Sequence, residues 1–295
     1  LELILQLALG ASLTAVRGYA HPERREAYER ALALAESAQD PTLLGRALIG
    51  VSISECTSGA VERARVTAMR VLDSCNNGGD PELKLHAYSQ LALAKYYQGR
   101  FQTALNHCEE AIRIYGRSKH HRAFYSIGDN TGFSAMGIAA WSLWHLGCPD
   151  RALARALETY ELAQHFEDPF GLAFSTTVLS TVHWFRGEFE AQQRVAAMQI
   201  DVGQQYGFPL WLGLGRAIHA AARVALGEPS AISELMEGVA IMADTGTQAG
   251  APMLFAMVAA TQASAGLDEA ALGSIGVGLA VSENTGQGFQ DAELL

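Results

Sequence analysis

Much of what a catalytic or nucleic-acid-binding chain needs is missing from these 295 residues. Positive charge is scarce, with 21 Lys and Arg against 31 Asp and Glu and a formal net charge of −10. No basic stripe gathers them, and phosphate backbones are held by clustered Lys and Arg, so the pattern predicts no nucleic-acid partner. No uninterrupted apolar run reaches the roughly 18 residues of a membrane span, and no charged leader with a cleavage site is present, so no membrane partner is expected. The four cysteines, Cys56, Cys75, Cys108 and Cys148, form no C-x-x-C pair and read as reduced, buried thiols of a cytoplasmic protein. No Gly-Lys dipeptide exists, which removes a P-loop, and neither H-E-x-x-H nor G-x-S-x-G occurs. Gly213-Leu214-Gly215 and Gly276-Val277-Gly278 lack the third glycine of a dinucleotide loop and follow no strand. The expectation is a chain with no cofactor and no catalysis of its own. Proline is also rare, at 8, and no alternating pattern points to strands.

What remains is apolar and periodic. Hydrophobic residues make up 49% and charged residues 18%, ample for burial. The phrase from Tyr96 to Leu105 reads as the end of one helix, a tight turn at Gly99 and the start of a second helix packed back on the first. It returns at intervals of about forty residues, with turn glycines at 18, 59, 99, 147, 187, 227 and 266. Glycine suits the left-handed residue that ends a helix. Seven positions before each stands a small residue: Ala11, Ser52, Ala92, Ala140, Ser180, Ala220 and Ala259. Two helices of a hairpin approach closely only where such a residue faces the partner.

Asp40-Pro41, Asp80-Pro81, Asp168-Pro169, Phe208-Pro209 and Ala251-Pro252 punctuate the hairpins, with Asp as a helix cap and Pro in the first turn. Each unit thus reads as helix A, glycine turn, helix B and a restart. Helix B shows the helical period in Ala104, Leu105, Cys108, Ala111, Ile112 and Tyr115. The fold predicted is all-α, a right-handed α-solenoid of about seven antiparallel hairpins. Their boundaries fall near 1–39, 40–79, 80–115, 133–167, 168–207, 208–250 and 251–289. An insertion at 116–132 stretches the interval from Gly99 to Gly147 by about eight residues and carries His120, His121, Arg122 and Asp129. The seventh hairpin is interrupted by Gly273, Gly276 and Gly278. The chain begins without Met and stops within a helical pattern at 290–295, so it is expected to be a piece of a larger protein.

Gly99, Phe101 and Ala104, with Ala92 before them, resemble the tetratricopeptide repeat in a long form. The spacing is joined by the stretches at 5–10, 121–132, 139–152 and 206–211. Through these the chain looks like the repeat-bearing tail of bacterial multidomain signalling ATPases. Many of those tails follow a class III nucleotide-cyclase or protein-kinase domain and an NTPase module. Departures are Gln192, where the repeat wants Ala, and the glycine-rich seventh unit. The resemblance implies a regulatory segment that takes a protein or peptide partner and acts on an attached NTPase, cyclase or kinase domain.

In such arrays the A helices line a concave face, and side chains just before the turn often point into it. That register makes Tyr96, Tyr97, Trp141, Trp144, His145, His183 and Trp184 the groove candidates, of which Tyr96, Trp141, Trp144 and Trp184 would form one wall. Aromatic anchors bury much area with little rotamer entropy; the competing reading packs them as core between hairpins. In the insertion, His121, Arg122 and Asp129 are expected to hydrogen-bond it onto neighbouring helices. The pair His120-His121 with Asp129 lacks a fourth partner at usual spacing, so no metal is expected. A second functional reading is a small-molecule receptor with 116–132 folding over the groove as a lid.

Overall fold

A computed structural model of the chain describes residues 1–75, 80–117 and 130–295. Its helices pair into seven hairpins: α1 (Glu2–Arg17) with α2 (Pro22–Ala38), α3 (Pro41–Thr57) with α4 (Val61–Ser74), and α5 (Pro81–Tyr97) with α6 (Phe101–Arg117). There follow α7 (Thr131–His145) with α8 (Pro149–His165), α9 (Pro169–Phe185) with α10 (Phe189–Tyr206), and α11 (Pro209–Ala225) with α12 (Ile232–Asp244). The last pair is α13 (Ala251–Ser264) with α14 (Asp268–Thr285), followed by a short α15 (Asp291–Leu294). No strand occurs among the described residues. The fold is an all-α, tetratricopeptide-like solenoid.

The punctuation acts as its chemistry requires. Seven of the eight prolines stand at the first or second position of an α-helix and Pro229 opens a 3-10 turn, where a missing N–H costs nothing. All seven turn glycines have positive φ, between +70° and +98°. Asp40 caps α3 by accepting from the Thr42 and Leu43 amides at 3.0 Å, and Asp80 accepts from Glu82 at 2.8 Å. Asp168 makes no such bond. Asn130 instead caps the fourth hairpin, accepting from the Gly132 amide at 3.2 Å, so α7 starts inside the sequence boundary of the insertion.

Two layers result. The odd-numbered helices pack on one another in series and on their own partners, so α9 is buried continuously from Ser175 to Val182. The even-numbered helices bury one stripe, as α8 does with Ala152, Ala156, Thr159 and Ala163. Small residues bring the layers together: Ser52 is fully buried and its hydroxyl donates to the Ala64 carbonyl of the facing helix at 2.9 Å. Where the fifth hairpin has Gln192 in place of Ala, the side chain stays buried and donates to the Ile218 carbonyl at 3.0 Å. Gln199 does the same to Trp211 at 2.9 Å, so two glutamines tie α10 to α11.

The superhelix then meets itself. The Thr57 carbonyl, at the second turn, accepts from the Gln248 and Ala249 amides at 2.8 and 3.2 Å. Gln287 is fully buried; it accepts from the Gly250 amide and donates to the Gln248 carbonyl, at 2.8 and 2.9 Å. Phe289 lies against Tyr96 and Tyr97 with ring centroids 5.0 and 5.3 Å away. Tyr19, at the first turn, meets Phe170 at 5.8 Å. The turns of hairpins one to three therefore rest on junctions near the other end of the array.

Candidate functional site

Series packing of α3, α5, α7, α9, α11 and α13 leaves an axial cavity of about 160 Å³. Its wall is mostly apolar, and none of the described residues lining it is Asp, Glu, Lys, Arg or His. Trp141, Trp184, Trp211 and Phe174 face it from three consecutive inner helices, and Phe289 closes one side. Cys56 lines it too; burial pushes its thiol up to about 12, so it stays protonated and inert. Burial likewise pushes the Tyr96 and Tyr97 phenols well above their ordinary value.

Of the sequence candidates, Tyr96, Tyr97, Trp141 and Trp184 line this cavity, the first three buried and Trp184 half-buried. Trp144 does not line it. It stacks on Phe185 at 5.2 Å with planes 10° apart, at the outer end of the same helices. His145 stacks on Phe101 at 4.3 Å and 7°, with its Nε2 3.3 Å from the Tyr96 hydroxyl. Burial pulls the His145 imidazole down to about 4, so it is neutral near pH 7. His183 binds Glu188 through Nδ1 at 2.6 Å, and Arg186 holds the other Glu188 oxygen at 2.7 Å. The candidates thus divide into a set around the cavity and a half-buried ledge of Trp144, His145 and His183 at its rim, which Phe185, not among the sequence candidates, completes. Trp184 joins the two, 5.1 Å from Phe185.

His120, His121, Arg122 and Asp129 lie outside the described residues. Among the described residues no group of three His, Cys, Asp or Glu is placed to hold a metal ion, and no helix is long and apolar enough to cross a membrane. The register argument missed Phe174 and Trp211, because it looked only at the last turn of each A helix. The signal was present, since each stands on an inner helix near its start, where the same wall continues.

The array is thus a tetratricopeptide-like helical-repeat solenoid whose inner helices wall an axial cavity rimmed by aromatics. No protein-family profile matches the chain, and neither does any curated protein. Among solved structures it is similar to a Rap protein complexed with competence and sporulation factor, with a TM-score of 0.70 at 10% identity. That match covers 96% of this chain and 86% of the other. It is similar also to BtubC (BKLC) from P. vanneervenii, with a TM-score of 0.52 at 18% identity over 82% of this chain and 89% of that one. The apo form of RapI gives 0.51 at 12%, over 99% and 87%. At such identities the likeness is one of fold.

Proposed function

We propose that this chain is a non-enzymatic, cytoplasmic regulatory module whose aromatic ledge and concave face receive a protein or peptide. In the natural protein it would act on an attached NTPase, cyclase or kinase domain. The observation that carries this reading is the ledge itself. Trp144 stacks on Phe185 and His145 meets Phe185 edge-on, all half-buried at the ends of α7 and α9. Beside them are the turn glycines Gly147 and Gly187, with no described residue within 4 Å of where a Cβ would stand. Rigid aromatic surface of this kind is what interface anchors are made of. The similar Rap structure, complexed with competence and sporulation factor, adds support from the fold. A solenoid bends as a unit, so ligand on its inner face has a route to neighbouring domains.

The test is selection of peptides from a displayed library on the whole chain. Binders should lose at least about tenfold affinity on Trp144→Ala, a typical loss for an aromatic anchor. Binders indifferent to Trp144→Ala and Trp184→Ala would overturn the reading. Regulation is tested in the natural protein: deleting residues 1–295 should change the attached domain's turnover, and an unchanged rate counts against it. A second reading, a receptor for a small molecule, is favoured by the largely apolar axial cavity and stands apart from the ledge.

A further inference from the structure

Phe289 reaches its place from outside the hairpins. It belongs to residues 286–295, beyond α14, yet its ring lies 5.0 and 5.3 Å from Tyr96 and Tyr97 at the end of α5 and lines the axial cavity. It is 4% exposed, so the two tyrosines and their neighbours form a seat that holds a phenyl ring almost completely. The seat is continuous with the ledge, because Tyr96 is itself 5.7 Å from the rings of Phe101 and His145. The described cavity lining beside it carries no Asp, Glu, Lys, Arg or His, so the seat suits an uncharged side chain.

The segment that delivers this ring is held unevenly. Gln287 ties its start to Gly250 and Gln248, and Gly286 before it stands at a φ of +71° with no described residue within 4 Å of where a Cβ would be. Its end rests on α14. The Ser282 hydroxyl donates to Asp291, and a Cβ at Gly278 would lie 3.1 Å from both methyls of Leu294, so a glycine that interrupts the seventh hairpin makes room for this contact. Between the two ends Gln290 is fully buried, and neither atom of its side-chain amide has a hydrogen-bond partner among the described residues. Buried polar atoms are normally paired. Seating Phe289 therefore strips the neighbouring amide of water and gives it nothing in return, a penalty that vanishes when the segment lifts.

We propose that the Phe289 seat is an anchor subsite for an aromatic residue of the peptide partner, and that residues 288–295 occupy it as a built-in competitor until that residue displaces them. The proposal rests on the peptide reading above and names the residue class that the partner presents. The chain's own phenylalanine gives the size and polarity of the occupant, and the unpaired Gln290 amide favours its release.

The experiment has two arms, both on the whole chain. In the first, with no partner present, hydrogen exchange is followed at the amides of residues 288–295. Phe289→Ala should speed it, and Gln290→Leu, which removes the unpaired amide and keeps the bulk, should slow it, each by about tenfold. A segment that merely frays would be indifferent to Gln290→Leu. In the second arm, a synthetic peptide of residues 286–295 is titrated into the Phe289→Ala chain. It should saturate at one per chain and bind the unaltered chain at least about tenfold more weakly, since there the tethered ring competes at an effective concentration of about a millimolar. The same peptide carrying Phe289→Ala should bind neither. If the Phe289→Ala chain fails to fold by circular dichroism, Leu294→Ala, which loosens the segment without touching the seat, takes its place. The proposal is overturned if Gln290→Leu leaves exchange unchanged or speeds it, if the peptide fails to saturate the folded variant, or if it binds both chains alike. Library peptides that need Trp144 but bind the Phe289→Ala chain no better than the unaltered one would keep the ledge and remove the seat.

Discussion

Seven turns share one glycine conformation and yet occupy two settings. Gly18, Gly59 and Gly99 abut residues from the far end of the chain, whereas Gly147, Gly187, Gly227 and Gly266 have nothing within 4 Å of where a Cβ would stand, among the described residues. The first group does two jobs at once, reversing the chain and fitting against an opposing surface. The second only reverses the chain. The contrast teaches that a periodic signal marks a local backbone requirement and is blind to what is packed against it. It also separates a covered side of the array from an open one, and the aromatic ledge lies on the open side.

The largest effect expected from this contrast comes from adding one methyl. At Gly59 a Cβ would lie 2.6 Å from both Gln248 Oε1 and Thr285 Cγ2, on top of a positive φ of +87°. Gly59→Ala should cost about 3 kcal/mol, and Gly187→Ala, which meets only the backbone penalty, about 1 kcal/mol. Urea unfolding of the two variants measures the difference, and equal midpoints would erase the distinction between the two groups. Next comes Gln287→Ala, which strands the Gly250 amide and the Gln248 carbonyl and should cost about 2 kcal/mol. Hydrogen exchange at Gly250 should quicken with it.

A smaller effect belongs to pH at the open fourth turn. The unfolded His145 takes up a proton as pH falls through about 6.5, the folded one only near 4, so stability should drop across that window. The loss should reach about 2 kcal/mol after allowance for the partly exposed ring. His145→Phe should flatten most of the pH profile; His107 and His219, also pulled down by burial, account for the remainder. Smallest of all is Asp150→Ala. It breaks the 3.1 Å pair with Arg186, but the Asp150 side chain is 94% exposed, so the unfolding midpoint should not move.

The architecture was legible because its determinants are local. A glycine that must adopt positive φ, a proline confined to a first helical turn and a small residue where two helices touch each leave a mark at a fixed spacing. Closure of the superhelix left none. Thr57 and Gln248, or Gly99 and Gly288, meet across about 190 residues, and neither member of either pair looks unusual in its own segment. The lining of the candidate cavity was legible in part. Tyr96, Tyr97, Trp141 and Trp184 fall on the cavity because their register puts them on the inner face. Trp144 shares that helix end but is three residues on from Trp141, which turns it toward Phe185.

The contact between distant turns also fixes how many units can lie between them. An open array gains or loses a hairpin at little expense, because every unit sees only its neighbours. Here, duplicating one hairpin between the second and the seventh would carry Gln248 and Thr285 past Thr57 and Gly59 by a whole step, leaving those partners facing the wrong junction. The number of units between those turns, ordinarily free to vary in a repeat protein, has become part of this chain's tertiary structure.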